Sequence, residues 1–320
     1  MKNITVEKML ILSASRRTDI PAFYSGWFLN RIKEGFVCVR NPVNPRQISK
    51  ITLSPNAIDC IVFWSKNPTP LLKKIDRLSD YKYYFQFTLN SYSQEIETGL
   101  PPKRDRIDTF KKLSDKIGKE KIIWRYDPIL LNKEHTIDYH IDFFGEIATS
   151  LRDYTEKVTI SFVDLYNKNS KNMEFVKNIP ITKNCKLKIT EIFGKIAREN
   201  NFLIDTCAED IDLSSFGIKH ALCVDNQLIE RITGYPLYIT KDKNQRLECG
   251  CAQSIDIGAY NSCSNGCLYC YANYSRENVE KNRKNHNLFS PLLIGNISEK
   301  DIIRDKKINN CKTIQSDLFK

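Results

Sequence analysis

The sequence predicts an α/β protein built on a parallel sheet that closes fully or partly into a barrel. Short apolar runs rich in β-branched and aromatic residues alternate with stretches of helical spacing along most of the 320 residues. Polar residues gather just after those runs, where parallel α/β folds place their sites. A cysteine-rich turn follows the last run.

The first strand is expected at Met9–Ser15, then a helix over 22–34 in which Phe23, Trp27, Phe28 and Ile32 share a face. Ile58–Trp64 reads as the second strand, and a helix opened by proline runs from about Pro70 to Ser79. Tyr83–Leu89 is the third strand and Lys103–Ile117 the next helix. Strands follow at Lys121–Tyr126 and Val158–Val163, with a helix over about Asp138–Arg152 between them. Cys185–Asn200 is helical and Phe202–Thr206 is the sixth strand. These runs are continuously apolar, so both faces of the sheet are expected to be covered. Ser254–Tyr260 reads as a last strand that stops at a turn, with a helix from about Tyr274 to Lys284 after it. The residues just past the strands are Arg16, Arg17 and Asp19; Lys66 and Asn67; Asn90; Arg125 and Asp127; Asp164; and Glu209. They are expected to converge on one mouth, with Pro21, Pro68 and Pro128 shaping the turns beside them.

Hydrophobic residues make up 41% and charged residues 27%, and no run reaches bilayer length. The expectation is a cytoplasmic protein that does not enter a membrane. The short apolar patch near the start, followed by Arg16 and Arg17, reads as a strand and not as a signal peptide. A net charge of +11 is compatible with a polyanionic partner such as nucleic acid. In a reducing compartment, eleven cysteines mark metal sites or core thiols more readily than disulfides.

The turn Asn261–Asn273 delivers Cys263, Cys267 and Cys270 with C-x3-C-x2-C spacing. Three thiolates so spaced can hold three irons of a cubane [4Fe–4S] cluster and leave the fourth iron open. A structural zinc site wants four ligands, usually as two C-x2-C pairs. Gly266 and Tyr269 fit a tight loop around such a cube. The loop resembles the signature of the radical S-adenosylmethionine (AdoMet) superfamily, in which an aromatic residue usually precedes the third cysteine. That resemblance implies a [4Fe–4S] cluster and AdoMet as cofactors, and a reducing partner such as flavodoxin or ferredoxin.

In most members of that superfamily the cluster loop follows the first barrel strand; here it comes last. The resemblance therefore implies a circularly permuted partial or full (β/α) barrel over residues 1–285, with Met9–Ser15 beside the cluster strand. Residues 286–320 form a wrapping or flexible tail. In that arrangement Ser13, Ser15, Arg16 and Arg17 lie where the amino and carboxylate groups of AdoMet need partners. Lys66, Arg125 and Asp127 are the candidates for substrate chemistry.

Over nearly all of Met9 to about Gly295, the chain also resembles a bacterial family catalogued as a domain of unknown function. Shared features are Ser15-Arg-Arg-Thr-Asp-Ile-Pro21, Phe63-Trp-Ser-Lys-Asn-Pro68, Trp124-Arg-Tyr-Asp-Pro128 and the cysteine cluster. The segment Trp124–Pro128 is distantly similar to an Arg-x-x-Pro segment of spore photoproduct lyase.

Cys207, Cys223, Cys249 and Cys251 are candidates for a second Fe–S cluster or a zinc ion, although C-x-C is not a usual pair spacing. Cys38, Cys60, Cys185 and Cys311 read as isolated structural thiols, and Met9 and Met173 as core residues. His220, near Cys223, is the histidine best placed to reach a site. Lys241–Arg246 is open to two readings, a contact to AdoMet or substrate and, the plainer one, a solvated loop. Gln315-Ser-Asp-Leu-Phe319 resembles the pentapeptide that docks bacterial repair proteins on the DNA sliding clamp, with Ser316 where Leu is commoner. Together these features point to a radical AdoMet enzyme that starts a hydrogen abstraction, with a nucleic-acid, repair-like substrate. The alternative is a non-catalytic Fe–S or zinc protein that binds nucleic acid.

Overall fold

The computed structural model describes residues 10–166, 168–237 and 239–306. Met9, Cys311 and the clamp-like Gln315–Phe319 segment lie outside the described residues. The chain opens with β1 (Leu10–Ala14), α1 (Ile20–Phe23), α2 (Ser25–Glu34), β2 (Phe36–Arg40) and β3 (Gln47–Thr52). It continues through β4 (Ile58–Ser65), α3 (Thr69–Leu72), β5 (Tyr83–Thr88), α4 (Lys103–Ile117), β6 (Ile122–Ile129) and α5 (Ile137–Leu151). Next come β7 (Lys157–Phe162), α6 (Ser170–Phe175), α7 (Lys183–Glu199), β8 (Leu203–Thr206) and β9 (Lys219–His220). The last elements are α8 (Asn226–Thr233), β10 (Ile255–Asp256), α9 (Arg276–Lys284) and β11 (Ile302–Asp305).

Eight strands form one parallel sheet in the order β10-β1-β4-β5-β6-β7-β8-β9. The strand before the cysteine loop therefore lies beside β1, as expected, with Leu12 opposite Ile255 and Ser13 opposite Asp256. It is shorter than the predicted Ser254–Tyr260, because only two residues join the ladder. Among the described residues no ladder joins β9 to β10, so of the partial or full barrel expected, full closure is not formed. Both edge strands are two residues long, and the chain between them folds over the sheet, with Ala252 N–H donating to Val224 O at 3.0 Å.

Side chains alternate between two buried faces. Leu12, Ala14, Phe63, Phe85, Phe87, Trp124, Tyr126 and Ile160 join the main core under the helices. Ile11, Cys60, Val62, Tyr84 and Ile123 point the other way, against Val224, Leu228, Ile229, Leu237, Cys249 and Cys251. Double-sided burial explains why the strands read as unbroken apolar runs. Thr136 and Thr182 cap α5 and α7 by accepting the amides of Tyr139 and Cys185. Those helices press Phe144 and Phe193 face to face, with ring centroids 3.8 Å apart.

Three strands were not foreseen as part of a small second sheet, ordered β11-β3-β2. β11 pairs in parallel with β3 and is exposed throughout, so no in–out alternation marks it in the sequence. The stretch before it wraps α2: Trp27 Nε1 donates to Ser290 O at 2.8 Å and Arg31 Nη2 to Phe289 O at 3.1 Å. The helix expected to end at Ser79 stops at Leu72, and one 3-10 turn over Ile75–Leu78 follows. Among the described residues no helix is long and apolar enough to cross a membrane.

His140 is fully buried on α5 and ties that helix to the end of β6. Its Nε2 lies 2.8 Å from Leu130 O, an acceptor, so Nε2 carries the proton and Nδ1 faces the Tyr126 hydroxyl at 2.8 Å. Burial lowers its pKa from 6.5 to about 4. Between those values the unfolded chain takes up a proton that the folded chain refuses, so stability falls as pH drops through this window. The total loss is about 3 kcal/mol. Urea titrations across the window should show this loss, and His140→Gln should flatten the profile there; parallel profiles would contradict the assignment.

Candidate functional site

The site begins where β10 meets β1. Asp256 accepts from Ser13 Oγ at 2.8 Å, Ser15 Oγ at 2.7 Å, Arg16 N at 2.8 Å and Gly258 N at 2.9 Å. Any Cβ at Gly258 would fall 2.0 Å from Ser15 Oγ, so this junction admits only glycine. The loop that follows is closed by its own polar groups. Asn261 N–H donates to Ala272 O at 2.9 Å, and Cys263 N–H to Asn273 Oδ1 at 3.0 Å. Gly266, at φ +64°, lets the loop turn against Thr98. The segment after β5 then receives it, with Leu268 N–H to Ile96 O at 3.0 Å and Gly99 N–H to Asn265 O at 2.8 Å.

Two buried carboxylates hold this dock. Glu97 accepts from Lys66 Nζ at 2.9 Å, from Arg106 Nη1 at 3.0 Å and from the Tyr269 hydroxyl. Burial opposes its charge, but Lys66 and Arg106 outweigh that cost and lower its pKa. Lys66 Nζ also reaches the Tyr269 hydroxyl at 2.7 Å, and Asn90 Nδ2 reaches it at 3.1 Å. Asp19 accepts from Ser65 Oγ at 2.7 Å, Lys66 N at 2.8 Å and Asn265 Nδ2 at 3.1 Å. Its pKa is nevertheless raised by burial. The tyrosine before Cys270 and the asparagine before Gly266 are thus the handles by which the sheet grips the loop.

A cavity of about 500 Å³ opens at the C-terminal ends of the strands. Ser15, Arg16, Arg17, Lys66, Arg125, Asp127, all three loop cysteines, and Cys207, Cys223, Cys249 and Cys251 line it. Ser13 does not: it is fully buried, with its hydroxyl given to Asp256. Arg16 stands over the Trp64 ring at 5.2 Å, and its Nη2 is buried without a hydrogen-bond partner. Arg17 stands over Tyr260 at 5.1 Å. Lys66 is committed to Glu97 and Tyr269. Arg125 is bound by Asp127 through Nε at 2.8 Å, by Gln86 Oε1 at 3.3 Å and by Cys223 Sγ at 2.9 Å. Asp127 also accepts from Ser161 Oγ.

Asn244, Gln245 and Arg246 line the cavity too, so the stretch read as a solvated loop forms part of its wall. His220 is exposed on β9 and is not among the lining residues. Glu209 instead binds Phe162 N at 2.8 Å and Lys186 Nζ at 2.6 Å, fastening α7 to β7.

Burial pushes the Cys263 thiol well up and Cys267 up to about 12, and the loop thiols raise one another further. Cys223 moves the other way. Hydrogen bonds from Cys207 and Cys251, and then the Arg125 guanidinium, hold it well below the usual thiol range. Cys207 Sγ and Cys223 Sγ are 3.1 Å apart. Cys251 also hydrogen-bonds Cys249, so the four cysteines proposed for a second site lie side by side, although among the described residues no three His, Cys, Asp or Glu side chains are posed around one metal ion. Glu97, Arg106, Asp256 and Asn265 were not singled out from the sequence. The one visible signal was the acid in the apolar Ile255-Asp-Ile257 run.

Fold and site define a parallel α/β protein whose cysteine-lined chamber sits at the carboxyl ends of its strands. The chain belongs to the family described as domain of unknown function DUF1848, whose model matches residues 11–272. No curated protein matches the sequence.

Glu97→Gln leaves two buried cations facing a neutral amide, and should cost about 3–5 kcal/mol in urea unfolding. Adding Lys66→Met should recover part of that loss, because one stranded charge is removed. Strictly additive losses would mean that Glu97 and Lys66 do not act as one unit.

Proposed function

We propose that this chain is a radical AdoMet enzyme on a circularly permuted, partial (β/α) barrel. The observation that carries the reading is the placement of Cys263, Cys267 and Cys270 on one cavity wall, in a loop that follows the strand beside β1. The loop thiols are near enough to raise one another's pKa. Three thiolates in C-x3-C-x2-C spacing suit a [4Fe–4S] cube and would leave one of its irons without a protein ligand. When bound, that group supplies the reductive cleavage of AdoMet that starts hydrogen abstraction.

The chain's own residues have separate tasks. Cys263, Cys267 and Cys270 would hold three irons of the cluster. The unpartnered Nη2 of Arg16 offers a donor to the AdoMet carboxylate, and Arg17 lies beside it. Lys66, Glu97 and Tyr269 fix the loop, so Lys66 positions the ligands and its charge is spent inside the protein. Arg125 and Asp127 shape the opposite wall, and the chamber keeps water from the reacting carbon.

A nucleic-acid substrate is favoured by the mouth. Tyr166 and Tyr271 line the cavity and are exposed, and beyond the cysteine loop Lys168 stands 5.1 Å over Tyr260 and 5.2 Å over the exposed Tyr274. Cations interleaved with open aromatic rings suit a phosphate backbone carrying stackable bases. The distant likeness to spore photoproduct lyase and the clamp-like Gln315–Phe319 point to a repair reaction in the cytoplasm, served by a flavodoxin or ferredoxin.

Anaerobic reconstitution should load about four irons per chain. Dithionite should then release 5′-deoxyadenosine from AdoMet, and Cys263→Ala, Cys267→Ala or Cys270→Ala should abolish both. A colourless protein holding tightly bound zinc would overturn the assignment in favour of a non-catalytic metal protein. Pull-down of the sliding clamp should depend on Leu318 and Phe319; equal recovery with both changed to alanine removes clamp docking.

A further inference from the structure

The wall facing the cluster loop carries chemistry of its own. Cys207 leaves β8 and Cys223 follows β9, its parallel neighbour, in which Thr206 pairs with His220. The Cys207 amide donates to Ile160 O at 2.8 Å. The Cys223 carbonyl accepts from Tyr84 Oη at 2.7 Å and Gln86 Nε2 at 2.9 Å. Both backbones are thus pinned, and their sulfurs meet at 3.1 Å as free thiols. Arg125 Nη1 lies 2.9 Å from Cys223 Sγ, where a guanidinium stabilises a thiolate. Cys251 backs the pair, its sulfur accepting from Val224 N–H at 3.4 Å.

We propose that Cys207 and Cys223 form a redox-active dithiol in the cavity wall that exchanges with small thiols and disulfides. The Cys223 thiolate attacks one sulfur of a disulfide RSSR, forming a mixed disulfide and expelling RS⁻. Cys207 then gives up its proton and attacks the Cys223 sulfur, expelling the second RS⁻. Two electrons pass from the cysteine pair to the partner disulfide; one RS⁻ takes up the Cys207 proton and the other a proton from water, giving two molecules of RSH. Arg125 favours Cys223 as the attacking sulfur, because it stands beside that atom. A cavity of about 500 Å³ is of the size that admits a small molecule. The pair is a two-electron store facing the loop of Cys263, Cys267 and Cys270, and its behaviour does not depend on what that loop binds.

The test equilibrates the full-length protein with 2-hydroxyethyl disulfide and 2-mercaptoethanol at graded ratios. Acid quenching, alkylation under denaturing conditions and peptide mass spectrometry then count and map the free thiols. Oxidation should remove two alkylatable thiols, found as a Cys207–Cys223 cross-linked peptide. Cys207→Ser should abolish the Cys207–Cys223 cross-link, Cys185→Ser should leave it unchanged, and a Cys223–Cys251 cross-link found in the unsubstituted protein in its place would contradict the pairing, because Cys251 also hydrogen-bonds Cys223. Cys207→Ser is preferred to Cys223→Ser because Cys207 is only half-buried whereas Cys223 is buried. Two further outcomes overturn the proposal. One is Cys207 and Cys223 remaining alkylatable at every ratio. The other is iron or zinc retained by the Cys263→Ala/Cys267→Ala/Cys270→Ala protein and lost with Cys207→Ser, which would make the four thiols a metal site. The sulfur count is separate from AdoMet cleavage, so failure of either idea leaves the other standing.

Discussion

The carboxylate of Asp256 binds the late part of the chain to its beginning, reaching Ser13, Ser15 and Arg16 across 240 to 243 positions of sequence. Two residues of ladder are a weak strand by themselves. Four donors converging on one half-buried carboxylate give β10 a fixed seat on the edge of β1, and therefore a fixed point from which the cysteine loop departs. Everything at the mouth is measured from that seat. The same bonds consume both serine hydroxyls, which leaves Arg16 and Arg17 as the cationic groups of that segment on the cavity wall.

A second anchor grips the loop from its far side. Glu97, with two cations and a tyrosine hydroxyl, and Asp19, with donors from β4 and the loop, surround the turn on two flanks. Burying an ion pair gains little over an apolar substitute, but removing one partner is expensive. Such a network serves geometry more than stability. It holds Tyr269 and Asn265, the neighbours of Cys270 and Gly266, so the backbone between the cysteines has no freedom to drift.

Much of this was legible in the residues. The strands β1, β4, β5, β6 and β7 are buried on both faces and announce themselves as apolar runs, and the neighbour relation of β1 and the strand before the cysteine loop followed from the loop's resemblance to the radical AdoMet signature. The misses share a cause. β2, β3 and β11 form a side sheet with mixed exposure, and β9 is two residues long, so none presents a clean period. Glu97 lies in an irregular stretch where nothing local distinguishes an anchor from a loop acid. Lys66, Arg125 and Asp127 were recognised as cavity residues, but their pairings are tertiary facts that no spacing encodes. The meeting of Cys207 with Cys223 likewise needed β8 and β9 to be neighbours.

The central claim is that one iron of a cluster held by Cys263, Cys267 and Cys270 has no protein ligand. Electron paramagnetic resonance of the dithionite-reduced protein, recorded with and without AdoMet, tests it most directly. An open iron predicts a signal whose g-values shift when AdoMet binds. A reduced cluster whose spectrum is identical in both samples, at AdoMet concentrations that saturate the protein, would contradict it.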